Sequence, residues 1–209
     1  MDSIIFDLDG TMWDSTKQAA VVWERVAKKN PAIKDEVTAE KLKELYGLPL
    51  EDIATGLFLS VPKDVAIRTM EECVVEQCPY LAEHGGILLG DIEETLSTLS
   101  KEYPLFIVSN CKSGYIEAFL QAHGLSRYIT DHECPGGTGL LKADNIRIVM
   151  ERNHLKAPIY VGDTQGDLDA AHQAGLPFVF CRYGFGSSDD YEYVIDSFEQ
   201  LINLVKQVK

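Results

Sequence analysis

Asp7 and Asp9 stand two residues apart at the end of a short apolar run, Ser3-Ile4-Ile5-Phe6, with Gly10 directly behind them. On an extended chain, residues two apart project to the same side, so both carboxylates face one way while Leu8 turns into the core. Such a pair can divide labour. One carboxylate attacks an electrophile, and the other donates a proton to the leaving oxygen and later takes one from water. Gly10 permits the tight turn that brings backbone amides near an anion. Two further apolar runs also end on reactive groups: Pro104-Leu105-Phe106-Ile107-Val108 leads into Ser109-Asn110, and Ile159-Tyr160-Val161 leads into Gly162-Asp163. Lys142 opens the helical pattern before the latter run, and Asp167 and Asp169 follow it. Carboxylates bind a hard divalent cation such as Mg²⁺ through oxygen. A lysine and a hydroxyl can then hold the phosphate oxygens that such a cation does not reach.

These groups can act together only if the runs are neighbouring strands. Phe178-Val179-Phe180-Cys181 is a fourth run, and helical patterns separate the four: Ile92 to Leu99, Tyr115 to Ala122, Ala143 to Met150 and Leu168 to Ala174. Gly124 and Gly175 are placed as C-terminal caps of two of these helices. Alternating strands and helices of this length predict an α/β fold, a doubly wound, Rossmann-like parallel sheet with helices on both faces. Ligands gather at the carboxyl ends of the strands in such sheets.

The stretch between the first strand and the rest reads differently. Ala19, Val22 and Val26, then Leu42 and Leu45, then Val65 to Val75 follow helical spacing with no convincing strand, and Pro49 and Pro62 suit first turns. Residues 15–85 are therefore expected to form an all-helical cap domain, inserted into a core domain of residues 1–14 and 86–209. The Pro135-Gly136-Gly137-Thr138-Gly139 stretch is expected to be a flexible loop.

Composition narrows the function classes. The 209 residues are 45% hydrophobic and 25% charged, ordinary for a globular protein, and the net charge of −14 disfavours nucleic acid as a partner. No apolar run approaches the length of a membrane span, and Met1-Asp2-Ser3 lacks the basic start of a signal peptide. The five cysteines are odd in number and form no C-x-x-C pair, so neither a disulfide framework nor a structural zinc is expected, and a reducing cytoplasm is. The oligomeric state is left open, and a monomer is compatible with the sequence.

Each reactive residue also has a bland reading. An Asp-Gly turn is common turn chemistry, Ser109-Asn110 could cap a helix, and lysines are usually solvated. Asp169 reads best as a first-turn acid favoured by the helix dipole. G-x-x-x-x-G-K-[ST] is absent, Gly184-Phe185-Gly186 is too short for a dinucleotide fingerprint, and the histidines form no H-E-x-x-H. Cys111 has no evident acid–base partner and reads as a bystander.

Taken in order, Asp7-Leu8-Asp9-Gly10-Thr11, Ser109, Lys142 and Gly162-Asp163-Thr164-Gln165-Gly166-Asp167 resemble the successive motifs of the haloacid dehalogenase superfamily. Asp167 to Gly175, and Tyr46-Gly47-Leu48-Pro49-Leu50, resemble its phosphoglycolate-phosphatase-like and β-phosphoglucomutase-like branch. The resemblance spans nearly the whole chain. It implies that Asp7 is a nucleophile forming an aspartyl phosphate and that Asp9 is the general acid and base, with its carbonyl on Mg²⁺. Ser109 and Lys142 would be catalytic. Gly10, Thr11 and Asn110 would bind phosphate, and Asp7 and Asp163 would be metal ligands. Asp167 would be a ligand or a partner of one. The expected activity is hydrolysis of a small phosphorylated metabolite, of the phosphoglycolate or sugar-phosphate class. A sugar-phosphate mutase shares these motifs. A phospho-receiver domain uses similar groups, but takes its aspartate from a middle strand and has no helical insertion. A metal-free dehalogenase would lack Asp9, and a phosphonate hydrolase would need a cap lysine, for which Lys41 and Lys43 have no recognisable context.

Overall fold

The computed structural model describes residues 1–208. After β1 (Ser3–Phe6) and the two-residue β2 (Trp13–Asp14) come four helices: α1 (Thr16–Ala27), α2 (Ala39–Leu45), α3 (Leu50–Leu57) and α4 (Lys63–His84). The chain then returns through β3 (Ile87–Leu88), α5 (Ile92–Leu99), β4 (Leu105–Val108), α6 (Tyr115–His123), β5 (Asp131–Glu133), the single turn α7 (Pro135–Thr138) and α8 (Lys142–Arg152). It ends with β6 (Pro158–Gly162), α9 (Gln165–Ala174), β7 (Phe178–Cys181), β8 (Tyr193–Ile195) and α10 (Leu201–Leu204). Six strands form a parallel sheet in the order β5-β4-β1-β6-β7-β8, and β2 and β3 form a separate two-stranded antiparallel sheet.

The apolar runs are continuous because the central strands are buried on both faces. Alternation assigns the faces. Ile4, Phe6, Leu105, Ile107, Ile159, Val161 and Val179 join one cluster, with Leu96 of α5, Phe119 of α6 and Leu201 of α10. Ile5, Phe106, Val108, Tyr160, Phe178 and Phe180 join another, with Ile146 of α8 and Leu168 of α9. Gly124 and Gly175 cap α6 and α9 in the left-handed conformation, as their positions predict.

Residues of α1 to α4, among them Ala19, Val22, Trp23, Leu42, Ile53, Met70 and Cys73, build a third cluster of their own. Gly85 ends α4 at φ +66°, and the chain re-enters the core through β3. Tyr46 and Gly47 lie in the turn after α2. No helix of the described residues is long and apolar enough to cross a membrane.

The stretch expected to be a flexible loop is the turn α7 instead. Its glycines serve close approach, not mobility: a Cβ on Gly136 would stand 2.2 Å from the Ser113 nitrogen. The strands β5 and β8 are also additions to the expected set; the half-buried Asp131-His132-Glu133 gives no apolar signal because β5 is an edge.

Candidate active site

The parallel ladder carries Asp7 one residue past β1, where its amide donates to the Val161 carbonyl at 2.8 Å. Beyond it the chain turns sharply, Met12 N–H reaching Leu8 O at 2.8 Å. Gly10 sits in that turn at φ +80°, and a Cβ there would meet Asp163 Oδ2 at 2.2 Å. The glycine is thus required both by the turn and by the approach of this loop to the end of β6. Asp163 is fully buried there. Its Oδ2 accepts from the Phe185 amide at 2.7 Å and its Oδ1 from Thr11 Oγ1 at 3.2 Å.

Lys142, the first residue of α8, extends inward and is 5% exposed. Its Nζ donates to Asp7 Oδ1 at 2.8 Å and to Asp167 Oδ1 at 2.6 Å. The other Asp167 oxygen accepts from the Thr164 hydroxyl at 2.7 Å and from the Thr164 and Asp163 amides at 3.0 and 3.3 Å. Both oxygens of Asp167 are therefore engaged in holding Lys142 and the start of α9. One oxygen from each of Asp7, Asp163 and Asp167 lies within 4.8 Å of the others.

The two carboxylates do not face one way as an extended chain would have them: the chain is already turning here, and Asp9 points away from this cluster toward the helical segment. Its Oδ1 accepts from Tyr115 Oη at 2.7 Å and from Ser15 Oγ at 3.2 Å. Ser109 is buried past the end of β4, next to β1 in the sheet. Asn110 turns its side chain outward, Nδ2 donating to the Gly47 carbonyl at 3.0 Å. A cavity of about 430 Å³ opens beside these groups, lined by Leu50, Asn110, Lys112, Leu141 and Lys142 among others. A smaller recess of about 40 Å³ lies between Asp9, Trp23, Tyr46, Gln77 and Tyr115.

The charges are out of balance. Burial pushes the Asp7 carboxyl up to about 6, Asp167 adding to the effect and Lys142 opposing it. Burial raises Asp9 to about 7, while the hydrogen bond from Tyr115 pulls it back. Asp163 stands well above the usual carboxylate range, through burial first and then Asp167 and Asp7. Burial disfavours the Lys142 ammonium, but Asp167 and Asp7 outweigh it and raise its value well above normal. Three buried carboxylates against a single ammonium leave negative charge uncompensated in a medium that solvates it poorly. An all-oxygen donor set of this kind fits a hard divalent cation.

Residues 4–181 match the profile of the haloacid dehalogenase-like hydrolases. The chain belongs to this family. A phosphoglycolate phosphatase of Photobacterium profundum is 28% identical over 223 residues, covering 97% of this chain and 95% of the relative. One from Vibrio parahaemolyticus is 26% identical, with the same coverage. Among solved structures, a predicted phosphoglycolate phosphatase from Haemophilus somnus superposes with a TM-score of 0.83 at 19% identity, covering 98% of each chain. A predicted phosphatase from Clostridium acetobutylicum gives 0.80 at 23% identity, covering 99% of this chain and 98% of the other. These two share the fold. In reaction class this haloacid dehalogenase-like chain is a phosphatase.

Of the residues singled out in the sequence, Asp7, Lys142, Asp163 and Asp167 meet directly, with Gly10 against Asp163. The Thr11 hydroxyl is spent on Asp163 and not directed at an anion site. Asp169 is exposed, accepts from Gln165 at 2.8 Å, and stands outside the cluster. Lys43 pairs with Asp14 at 2.7 Å and Lys41 donates to the Glu36 carbonyl at 2.8 Å, so neither is free as an amine nucleophile. Tyr115, Ser15 and Gly184 escaped the sequence reading. Tyr115 looks like any apolar helix position, and the need for Gly184 appears only in the fold, where a Cβ would stand 2.2 Å from that of Asp163.

Proposed function

We propose that the chain is a Mg²⁺-dependent phosphatase that hydrolyses a small phosphate monoester of the phosphoglycolate or sugar-phosphate class through an aspartyl phosphate on Asp7. The observation that carries this reading is the contact of Asp7 with Lys142 at 2.8 Å, beside Asp163, at the carboxyl edge of the parallel sheet. The relatives named phosphoglycolate phosphatase support the substrate class.

In this reading Lys142 holds Asp7 Oδ1, which leaves Oδ2 to attack phosphorus. Lys142 and the Ser109 hydroxyl hold the transferring oxygens, with the Asn110 amide beside them. Asp9 gives its proton to the leaving oxygen, then takes one from the water that opens the acyl phosphate. Asp7 and Asp163, with the Asp9 carbonyl, would hold the Mg²⁺, and Asp167 would fix Lys142. The bound cation supplies charge neutralisation for an anionic substrate entering an acidic site. Residues 15–85 act as a cap over the site, excluding water from it. The reaction needs no partner beyond the substrate, and a cytoplasmic setting fits the free thiols.

Assaying the purified protein against a panel of phosphate esters, with Mg²⁺ and with excess EDTA, tests the proposal. Hydrolysis that requires Mg²⁺ and returns when it is restored is expected. Full turnover in EDTA would overturn the metal-dependent reading.

A further inference from the structure

One short motif has no part in the proposed chemistry. Gly184-Phe185-Gly186 follows β7, and its backbone wraps the buried Asp163. The Phe185 amide donates to Asp163 Oδ2 at 2.7 Å, and the Gly186 amide approaches the same oxygen at 3.4 Å. Both glycines are demanded by this approach. A Cβ on Gly184 would stand 2.2 Å from the Asp163 Cβ, and one on Gly186 would stand 2.8 Å from the Asp163 carbonyl oxygen. Just before them, the Tyr183 hydroxyl donates to the Thr11 carbonyl at 2.8 Å, and Thr11 Oγ1 holds the other Asp163 oxygen. The loop therefore fixes the direction in which that carboxylate points.

The same loop also meets the helical segment. Lys43, in the last turn of α2, places Nζ 5.5 Å from the centre of the Phe185 ring, within the range of a cation–π attraction. Asp14 anchors it there. Lys43 Nζ reaches Asp14 Oδ2 at 2.7 Å, and Asp14 Oδ1 accepts from the Thr16 amide at 2.9 Å. Four residues after Lys43, Gly47 sits at φ +91°, where a Cβ would stand 3.2 Å from the methyl of Thr164, the residue directly after Asp163. One end of α2 thus touches the motif at its phenylalanine and the chain beside Asp163 at Thr164.

We infer that Lys43 is a positioning residue for Mg²⁺: by holding Phe185 it keeps the Gly184-Phe185-Gly186 loop on Asp163, so that docking of the helical segment and metal binding strengthen each other. The inference rests on the Mg²⁺ site read at Asp163, but not on the nature of the ester. A ligand already held in its binding direction loses less freedom when the metal arrives, so a firm loop raises affinity. Linkage runs both ways: bound Mg²⁺ steadies the loop, and the steadied loop offers α2 a fixed ring to dock on. A group that hydrogen-bonds a metal ligand commonly changes metal affinity by roughly ten- to a hundredfold. Lys43 acts one contact further out, and its side chain is 43% exposed, so a smaller factor of about three- to tenfold is expected.

The test titrates Mg²⁺ calorimetrically into the EDTA-stripped protein and follows amide hydrogen exchange of α2 with and without the ion. Lys43→Met keeps the length of the side chain without its charge, and should weaken Mg²⁺ binding by about three- to tenfold. A purely structural role would lower the metal-free Tm and leave the Mg²⁺ Kd unchanged, and that result would overturn the inference. Lys43→Arg should restore the affinity, because a guanidinium can stack on the ring and keep the pair with Asp14. Phe185→Leu should weaken Mg²⁺ by a similar factor, and combining it with Lys43→Met should add little further. Additive losses would mean that the two residues act separately, and would overturn it too. Mg²⁺ should slow exchange across α2 and Tyr46-Gly47 in the original protein and not in Lys43→Met; equal slowing in both would remove the coupling. A protein that binds Mg²⁺ with this pattern yet hydrolyses no ester would remove the phosphatase reading and leave the coupling intact. Absence of Mg²⁺ binding in the original protein would overturn both.

Discussion

Tyr115 donates its phenol proton to Asp9 Oδ1 at 2.7 Å, from the first residue of the helix that follows the Ser109 loop. Ser15 Oγ lies 2.7 Å from the same phenol oxygen and reaches the same carboxylate oxygen. Asp9 Oδ1 is thus held between the core, through α6, and the point where the helical segment begins. On the helical side, Trp23 Nε1 donates to Gln77 Oε1 at 2.9 Å and Gln77 Nε2 to Tyr46 Oη at 3.3 Å. Trp23, Gln77, Tyr46 and Tyr115 then line one recess with Asp9. The outward-facing carboxylate is positioned by hydroxyls, while the inward-facing Asp7 is positioned by an ammonium.

Tyr115→Phe should therefore lower turnover while leaving KM close to its original value. The ring keeps its edge-on packing against Trp13 at 5.5 Å, so the change removes the phenol's hydrogen bond to the Asp9 carboxylate and its bond with Ser15, which keeps its own contact with Asp9. A hydrogen bond to a carboxylate is worth roughly 1.5–3 kcal/mol, which corresponds to a loss of about ten- to a hundredfold in kcat. Steady-state kinetics on a single ester checks it. Unchanged kcat would mean that Ser15 alone positions Asp9.

Asp7→Asn should abolish turnover without unfolding the chain. The amide is close to isosteric but a poor nucleophile, and a loss of at least roughly 1,000-fold, about 4 kcal/mol of barrier, is expected. The fold should tolerate the change, because it removes one of the carboxylates crowded around Lys142. Circular dichroism and a phosphate-release assay on the same preparation separate the two effects. Retention of a tenth of the original activity would rule out covalent catalysis on Asp7.

Stability should fall with rising pH in the metal-free protein and recover when Mg²⁺ is added. Asp7 and Asp9 bind protons with values of about 6 and about 7 in the fold, against 3.8 for an ordinary aspartate. A raised carboxyl value means that the folded state holds a proton the unfolded chain has already released. Its contribution to stability is complete below 3.8 and is lost as the pH climbs through 6 and 7. Asp163 acts in the same direction. Lys142 is charged in both states across this window, and carboxyls held low, such as Asp14, titrate below it. Melting curves in EDTA between about pH 5 and pH 8 should show Tm falling by several degrees, and the same series with Mg²⁺ should be nearly flat. A flat series in EDTA would show that these carboxylates are not held out of balance.

The parts of this arrangement that were legible in the sequence are those that leave a one-dimensional trace. Ile4-Ile5-Phe6, Leu105 to Val108 and Ile159 to Val161 are buried on both faces, so their strands read as unbroken apolar runs, and the polar residues that end them mark the sheet edge. Gly124 and Gly175 mark helix ends because only a left-handed residue fits there. What did not show was everything decided by approach in space. The pull of Thr11 toward Asp163 and the grip of Tyr115 on Asp9 join residues from separate elements. Edge strands such as β5 carry charge where central strands carry valine and isoleucine, so their pattern is lost.

Asp9→Asn should fail differently from Asp7→Asn, and the difference should depend on the leaving group. The nucleophile is intact in this variant, but the leaving oxygen loses its proton donor and the attacking water loses its base. General acid–base help is worth roughly 100- to 10,000-fold. A nitrophenolate leaves without being protonated, so phosphorylation of Asp7 should survive with that ester. Hydrolysis of the acyl phosphate still needs a base, so phosphoenzyme should build up after a burst. An alkyl phosphate should already be slowed in the first step. The Asn side chain can still accept from Tyr115 and Ser15, so the loop geometry should hold and the defect should be chemical. Rapid-quench measurement of protein-bound phosphate with both esters decides the matter. A missing burst with the activated ester, or equal defects with both esters in forming the intermediate, would reduce Asp9 to a residue that shapes the metal site.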